Sequence, residues 1–497
     1  MASEVPIPDS APDELTPEGP LRGRVIVLGI AGLIASILWS CQPGLLPDGL
    51  PPEGARTLGC AFLMATWWIG SRLPLAVPSL VPLAAFPLLG ITDSKTVAAP
   101  YADRMVMLLL CGFLLALAVE KWNLHRRIAL SVLVKFGKGP ISLSAAVMGI
   151  AAVLSMWISN TATTLMMLPI VAALVTQAAA QNEDHEANRR FGLLLLLGLA
   201  YAASIGGMAT PVGTPPNLIF AGQFAESFPG LPEITFIDWM RIGVPVAAVM
   251  LVLAWGLLNF VLLPVRKGYQ LGERDGLRTQ LAALGRWTTA EKLVAVGFTI
   301  TAALWVLRKP LGFPSAVHDS TIAAAAVIVF FVVPSFAKEE GAGPRLLEWR
   351  DAQRLPWGLL LLFGGGIALS KGFGTSGLTT WLGSQLEFLV ALPVLLMVVG
   401  ICLTVTFLTE ITSNTATTAL LMPVLAAVAI STGADPLLLM IPATLAASCA
   451  FMLPVATAPN AIVVGTGTVA PEDMMRTGLL LNVVGIVPIT IAVLIFL

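Results

Sequence analysis

The hexapeptide SNTATT occurs twice, at 159–164 and at 413–418, and each copy is followed by a proline, Pro169 or Pro423. Each sits inside a long apolar stretch, 140–181 or 388–431. A second pair of motifs follows the first: TPVGTPPN at 210–217 and LPVATAPN at 453–460. Their prolines and small residues break any helix that runs through them. These residue types offer a definite chemistry. Where a chain turns at Ser-Asn-Thr and a new helix begins, free N–H groups and the helix dipole attract an anion. The free carbonyls that end the preceding helix have the opposite polarity. With an Asn side-chain oxygen they can form an all-oxygen cage for a small hard cation. Ser and Thr hydroxyls can then donate to a carboxylate.

The plainer reading of one SNT is a helix N-cap, and of one TPPN a proline kink. Two copies, each paired with a proline break, point to a site instead. Neither Asn160 nor Asn414 begins a glycosylation sequon. Glu410 stands inside an apolar arm three residues before Ser413, and Met156 holds the matching place in the first copy. A carboxylate at membrane depth is a functional suspect, with proton coupling as one version. A structural contact to a neighbouring helix explains it equally well.

Composition says what must position these residues. Of 497 residues, 57% are hydrophobic and 11% charged, with a mean hydropathy of +0.87. Soluble domains carry about 25% charged residues, so this chain cannot cover a water-facing surface of its size. Its apolar runs are long and continuous, which predicts an all-α polytopic membrane protein and not a barrel. Net charge is −1 and nothing suggests nucleic acid. The five cysteines and three histidines lack metal-ligand spacing. No P-loop motif is present, and the glycines at 364–366 suit close helix packing.

Spans are expected at 25–41, 55–71, 74–90, 104–120, 191–228, 237–264, 291–308, 318–334, 355–371, 436–470 and 474–497, about eleven in all. The stretches 140–181 and 388–431 each hold two short helices as a re-entrant hairpin. Residues 1–24 read as a disordered cytoplasmic tail, acidic and without the basic start of a cleaved signal. With that end inside the cell, most of the 28 Lys and Arg fall in cytoplasmic loops, the bias of inner (plasma) membrane proteins. The first span and its outside loop occupy 25–54. Segments 55–264 and 291–497 then form two inverted repeats, joined by a cytoplasmic linker at 265–290 that carries a surface helix. The Asn160 hairpin opens from the cytoplasm and the Asn414 hairpin from outside. Inverted repeats with discontinuous helices are the layout of secondary transporters, with substrate and ion sites near the midplane.

The motifs SMWISNTATTLMMLPI (155–170), ATPVGTPPN (209–217), ITSNTATTALLMP (411–423) and VATAPN (455–460) resemble the divalent anion/sodium symporter family. AVEKWNLHRRIAL at 118–130 is similar to its segment between the fourth span and the first hairpin. The resemblance covers about 55–497. It implies carriage of C4-dicarboxylates such as succinate, malate or fumarate, or of citrate or sulfate, usually with Na+. It also implies a homodimer in which a transport domain moves, elevator-like, against a scaffold. Carried over by residue, one sodium site uses Ser155, Ser159, Asn160 and Gly213, and the other Thr409, Thr412, Asn414 and Ala456. Substrate carboxylates meet Asn160, Thr161, Thr214, Ser413, Asn414, Thr415 and Thr457. Thr412 departs from the pattern, where a smaller residue is common; a carbonyl ligand survives that change. Sodium-independent exchange on the same fold stays open. An intramembrane enzyme would need a paired acid, a metal set or an activated nucleophile, and only Glu410 is present at depth. A channel fits two opposed hairpins less well than alternating access.

Overall fold

The computed structural model describes residues 20–496 except 72, 137–138, 266–267, 272–274, 315, 337–342 and 390. Most of the expected tail therefore lies outside the described residues, and 20–24 already belong to the first helix. Among the described residues the chain is helical, with one isolated bridge between Pro334 and Arg345. Helices α1 (Pro20–Ser40) and α2 (Pro52–Gly70) pair with each other. Short helices α3 (Ala76–Ser79), α4 (Val81–Leu88) and α5 (Ser94–Ala98) lead into α6 (Arg104–Lys121) and the amphipathic α7 (Leu124–Phe136). Then come α8 (Pro140–Ser155), α9 (Asn160–Ala179), α10 (His185–Gly207), α11 (Pro215–Ser227) and α12 (Phe236–Gly256), which ends in a π turn over Leu257–Leu262. The linker holds α13 (Asp275–Ala283). The second half runs α14 (Thr289–Leu307), α15 (Asp319–Val332), α16 (Trp349–Ala352), α17 (Trp357–Thr375) and α18 (Leu378–Gln385). It closes with α19 (Val394–Ile411), α20 (Asn414–Thr432), α21 (Pro436–Ala447), α22 (Ala458–Val464) and α23 (Pro471–Phe496).

Nine helices among the described residues are long and apolar enough to cross a membrane. The expected span at 74–90 is not one of them. It divides at Leu80 into α3 and α4. Pro74, Pro78, Pro82 and Pro87 crowd this stretch. In one continuous helix the interior prolines would each lack an N–H and crowd the carbonyl four residues back, and the break at Leu80 places Pro82 in a first turn, where proline is tolerated. The hairpin arms are also longer than expected. Helices α9, α19 and α20 have 20, 18 and 19 residues. Pro169 and Pro423 lie within α9 and α20, which run through them.

The helix breaks fall at the repeated motifs. Helix α10 stops at Gly207 and α11 starts at Pro215; α21 stops at Ala447 and α22 starts at Ala458. Backbone polar groups released at such depth must find partners inside the protein. The last residue of each motif supplies them. Asn217 Nδ2 donates to Gly207 O at 3.1 Å and Thr210 O at 2.8 Å. Asn460 Nδ2 donates to Ala450 O at 3.1 Å and Leu453 O at 3.0 Å. One amide thus ties both ends of each break, at equivalent positions in the two halves.

Each break is also fastened to its hairpin, by different chemistry. In the first half Thr210 Oγ1 donates to Met156 O. In the second, Glu410 accepts from Met452 N at 2.8 Å, Leu453 N at 2.9 Å and Asn482 Nδ2 at 2.7 Å. Its carboxylate is buried and its acceptors are engaged, which favours the structural reading of this acid. Close packing assists: a Cβ on Gly206 would lie 2.2 Å from Ala152 O, so α10 meets α8 only with glycine there. Farther out, buried Arg127 of α7 pairs with Glu291 of α14 at 3.0 Å and donates to Leu284 O and Gly285 O, joining the first half to the linker.

Glu410→Gln places an amide donor against a backbone N–H and leaves a buried group unsatisfied, at about 1–3 kcal/mol. The variant should show a lower thermal unfolding midpoint in detergent and an unshifted pH profile of transport. An unchanged midpoint with a shifted pH profile would instead return Glu410 to a protonation role.

Candidate functional site

The two hairpin tips and the two breaks meet at one cavity of about 770 Å³. Its wall includes Ser159, Asn160, Thr161, Gly213 and Thr214 from the first half, and Ser413, Asn414, Thr415, Ala456 and Thr457 from the second. The structure therefore brings the substrate-contact residues expected from sequence to a common space. Ser155, Thr409 and Thr412 stand behind the wall and are buried. The cavity extends to the C-terminal end of α6, where Glu120 and Arg354 pair at 2.7 Å on its wall.

The tips are built alike. At the first, Ser155 Oγ donates to Asn160 Oδ1 at 2.5 Å. At the second, the equivalent Thr409 Oγ1 lies 2.7 Å from Asn414 Oδ1 and 2.9 Å from Ala447 O, two acceptors that share its one O–H. Each Asn is the first residue of its second arm, so its side chain folds back over the end of the first arm. Two glycines bring further oxygens close. A Cβ on Gly207 would lie 2.7 Å from Asn160 Oδ1 and 3.1 Å from Gly213 O. A Cβ on Gly213 would lie 2.6 Å from Gly207 O and 3.0 Å from Ser155 O. Amide and carbonyl oxygens converge there with no room for a side chain, a donor set that suits a hard cation. In the second half Ala450 and Ala456 hold the matching places.

Some of the wall hydroxyls also cap a helix and others do not. Ser159 Oγ accepts from Ala162 N at 3.2 Å and Thr457 Oγ1 from Asn460 N at 3.3 Å. Ser413 makes no side-chain cap at the start of α20, so first-turn N–H groups there keep no side-chain partner. Helix α11 opens with Pro215 and Pro216, which carry no N–H, and its uncapped Thr214 offers only its hydroxyl. Thr161 is exposed at the cavity, whereas Thr415 is buried on its wall. Thr412 turns away: its hydroxyl donates to Leu408 O at 2.8 Å and meets Thr417 Oγ1. That leaves its backbone carbonyl, and not its side chain, as a possible ligand. Trp157 anchors the first tip, stacking on Phe236 and Trp305 with Phe298 at its edge.

Among the described lining residues, no Lys or Arg sits at the tips; Arg354 lies at the far end, paired with Glu120. His125 also lines that end, and burial pushes its imidazole below the usual range, which keeps it neutral near pH 7. An anion in this cavity would be held by hydroxyls, amides, helix N-termini and whatever cations share the tips. Sequence reasoning had not singled out Asn217, Asn460, Gly207 or Thr210. The signal for the two asparagines was present, because both broken-helix motifs end in Asn.

Comparison with known proteins agrees with this architecture. The family model described as the sodium:sulfate symporter transmembrane region matches residues 28–496. A protein of Staphylococcus saprophyticus named sodium-dependent dicarboxylate transporter SdcS is 39% identical over 90% of this chain and 87% of its own length. Its namesake from Staphylococcus aureus is 39% identical over 90% of this chain and 86% of its own. The YdaH transporter of Alcanivorax borkumensis shares the fold, with a TM-score of 0.60 over 94% of this chain and 97% of that one, at 12% identity. Matched along nearly its whole length, the chain belongs to the divalent anion/sodium symporter family.

Proposed function

We propose that the protein is a secondary transporter that couples import of C4-dicarboxylates to sodium. The observation that carries this reading is the pair of matched hydroxyl–amide tips, Ser155–Asn160 and Thr409–Asn414, at one cavity without a cationic side chain beside them. A dicarboxylate brings two negative charges, and a helix terminus offers only about half a positive one. Sodium at the tips supplies the balance. One ion takes Ser155, Ser159, Asn160 and Gly213; the other takes Thr409, Asn414, Ala456 and the carbonyl of Thr412. The substrate carboxylates then meet Thr161, Thr214, Ser413, Thr415 and Thr457 beside the two asparagines. Relatives named as sodium-dependent dicarboxylate transporters support both the ion and the substrate class.

The two halves act as inverted repeats in a plasma membrane, as a homodimer, with the Arg354 end of the cavity toward the cytoplasm. Hairpins α8–α9 and α19–α20 and the broken helices move as a block, with α12 and α23 packed on them. Rigid-body motion of one unit around a midplane site is the expected route in repeat-built carriers, and the family resemblance implies an elevator-like shift.

Two outcomes test the reading. Succinate uptake into proteoliposomes should rise sigmoidally with sodium, and Asn160→Ala or Asn414→Ala should weaken sodium activation more than expression. Full uptake with choline in place of sodium would contradict coupling and favour exchange. Thr161→Ala and Thr415→Ala each remove a hydroxyl donor to a charged group, worth about 1.5–3 kcal/mol. Each should raise the apparent KM for succinate roughly tenfold or more at saturating sodium; unchanged KM in both would remove these residues from the site.

A further inference from the structure

Beyond the end of α11, carboxylates on one segment face cations on others. Glu226 in the last turn of α11 meets Lys371 of α17 at 3.4 Å. Glu233 in the following loop meets Arg104 at the start of α6 at 3.4 Å and His318, the residue before α15, at 3.2 Å. Asp238 in the first turn of α12 meets Lys309, just past α14, at 3.0 Å. These acids all lie in 226–238, the connection between α11 and α12. Their cross-element partners all lie on or beside α6, α14, α15 and α17. A neutral contact joins them: Gln223, buried where Gly222 approaches Phe363 and Ile367, donates to Ser370 Oγ of α17. Phe236 N donates to Asp319 Oδ2 at 3.0 Å, and Asp319 is held by Arg308 at 2.9 Å.

Helix direction separates this face from the cavity mouth. Arg104 and Glu120 stand at opposite ends of α6, roughly 24 Å apart at 1.5 Å per residue. Arg354 precedes α17, and Lys371 lies near its other end. Helix α11 starts at the cavity with Pro215 and ends at Ser227, with Glu226 in its last turn. The ion pairs therefore close the end of the molecule opposite the Glu120–Arg354 mouth.

We propose that segment 226–238 is an electrostatic latch that sets the access state of the carrier. Glu226, Glu233 and Asp238 ride with the broken helix and grip the scaffold cations while the cavity is open at the Glu120–Arg354 end. The pairs must part before the tips can be reached from the Lys371 side. Gln223 adds register, because moving it off Ser370 removes one of its two donor contacts and leaves only Ser227 Oγ of its own helix, at 3.0 Å. The proposal rests on the alternating-access reading above.

The test uses the full chain in oriented vesicles, with the five native cysteines replaced and a single reporter, Ile367→Cys, buried between α17 and α11. An impermeant maleimide on the Lys371 side labels it only when the latch opens. Exposed or half-exposed ion pairs shift such an equilibrium modestly, so Glu226→Gln should speed labelling about two- to fivefold. Glu233→Gln, farther from the reporter, should do the same. Glu226→Lys combined with Lys371→Glu should return the parent rate, which separates pairing from misfolding. Sodium with succinate should change the parent rate. Variants that label at the parent rate, in a parent that still responds to ligands, overturn the latch and leave alternating access standing. A parent indifferent to ligands overturns both.

Discussion

Everything in this fold depends on how backbone is allowed to leave a helix inside apolar surroundings. Each released N–H or carbonyl needs a partner, because neither lipid nor a packed core provides one. Asn217 and Asn460 answer that need at both breaks with the same two contacts. Thr210 and Glu410 answer it again where the breaks touch the hairpins. With those groups settled, the oxygens and first-turn N–H groups near the tips can be kept for a ligand. A polar site in an apolar chain is thus assembled largely from backbone, and the side chains that make it possible are not all on its surface.

The two halves reach similar tips with unequal residues, and the inequalities follow local geometry. Ser155 in one half is Thr409 in the other, and both hydroxyls find the asparagine oxygen. Gly213 admits no Cβ because Gly207 O is too near, whereas Ala456 stands at the equivalent place. Ile158 becomes Thr412, whose hydroxyl turns to its own helix and to Thr417; the matching Thr163 hydroxyl has no partner among the described residues. The two proposed cation sites therefore differ in the side chains around them, although oxygen atoms line both.

Much of the tip architecture was legible in the sequence, because Ser-Asn-Thr and the proline-rich motifs are local signals and occur in duplicate. The helix breaks at 208–214 and 448–457 follow from Pro and small residues alone. Other features were not local. Periodicity could not divide 74–90 into two short helices without weighing its prolines against its hydropathy. The position of Glu410 was plain, but its partners Met452, Leu453 and Asn482 lie 42 to 72 residues away. Likewise the acids at 226–238 fall where the expected spans 191–228 and 237–264 adjoin, and only the fold shows which groups they face.

In the proposed mechanism, cations held at the tips complete the site for a dianion. Linkage makes this measurable in both directions. Calorimetric titration of the purified protein with succinate at several sodium concentrations, and with sodium at several succinate concentrations, tests it most directly. Sodium should tighten succinate binding, and saturating succinate should tighten sodium binding by the same factor. Succinate binding of equal strength in sodium and in choline would contradict it.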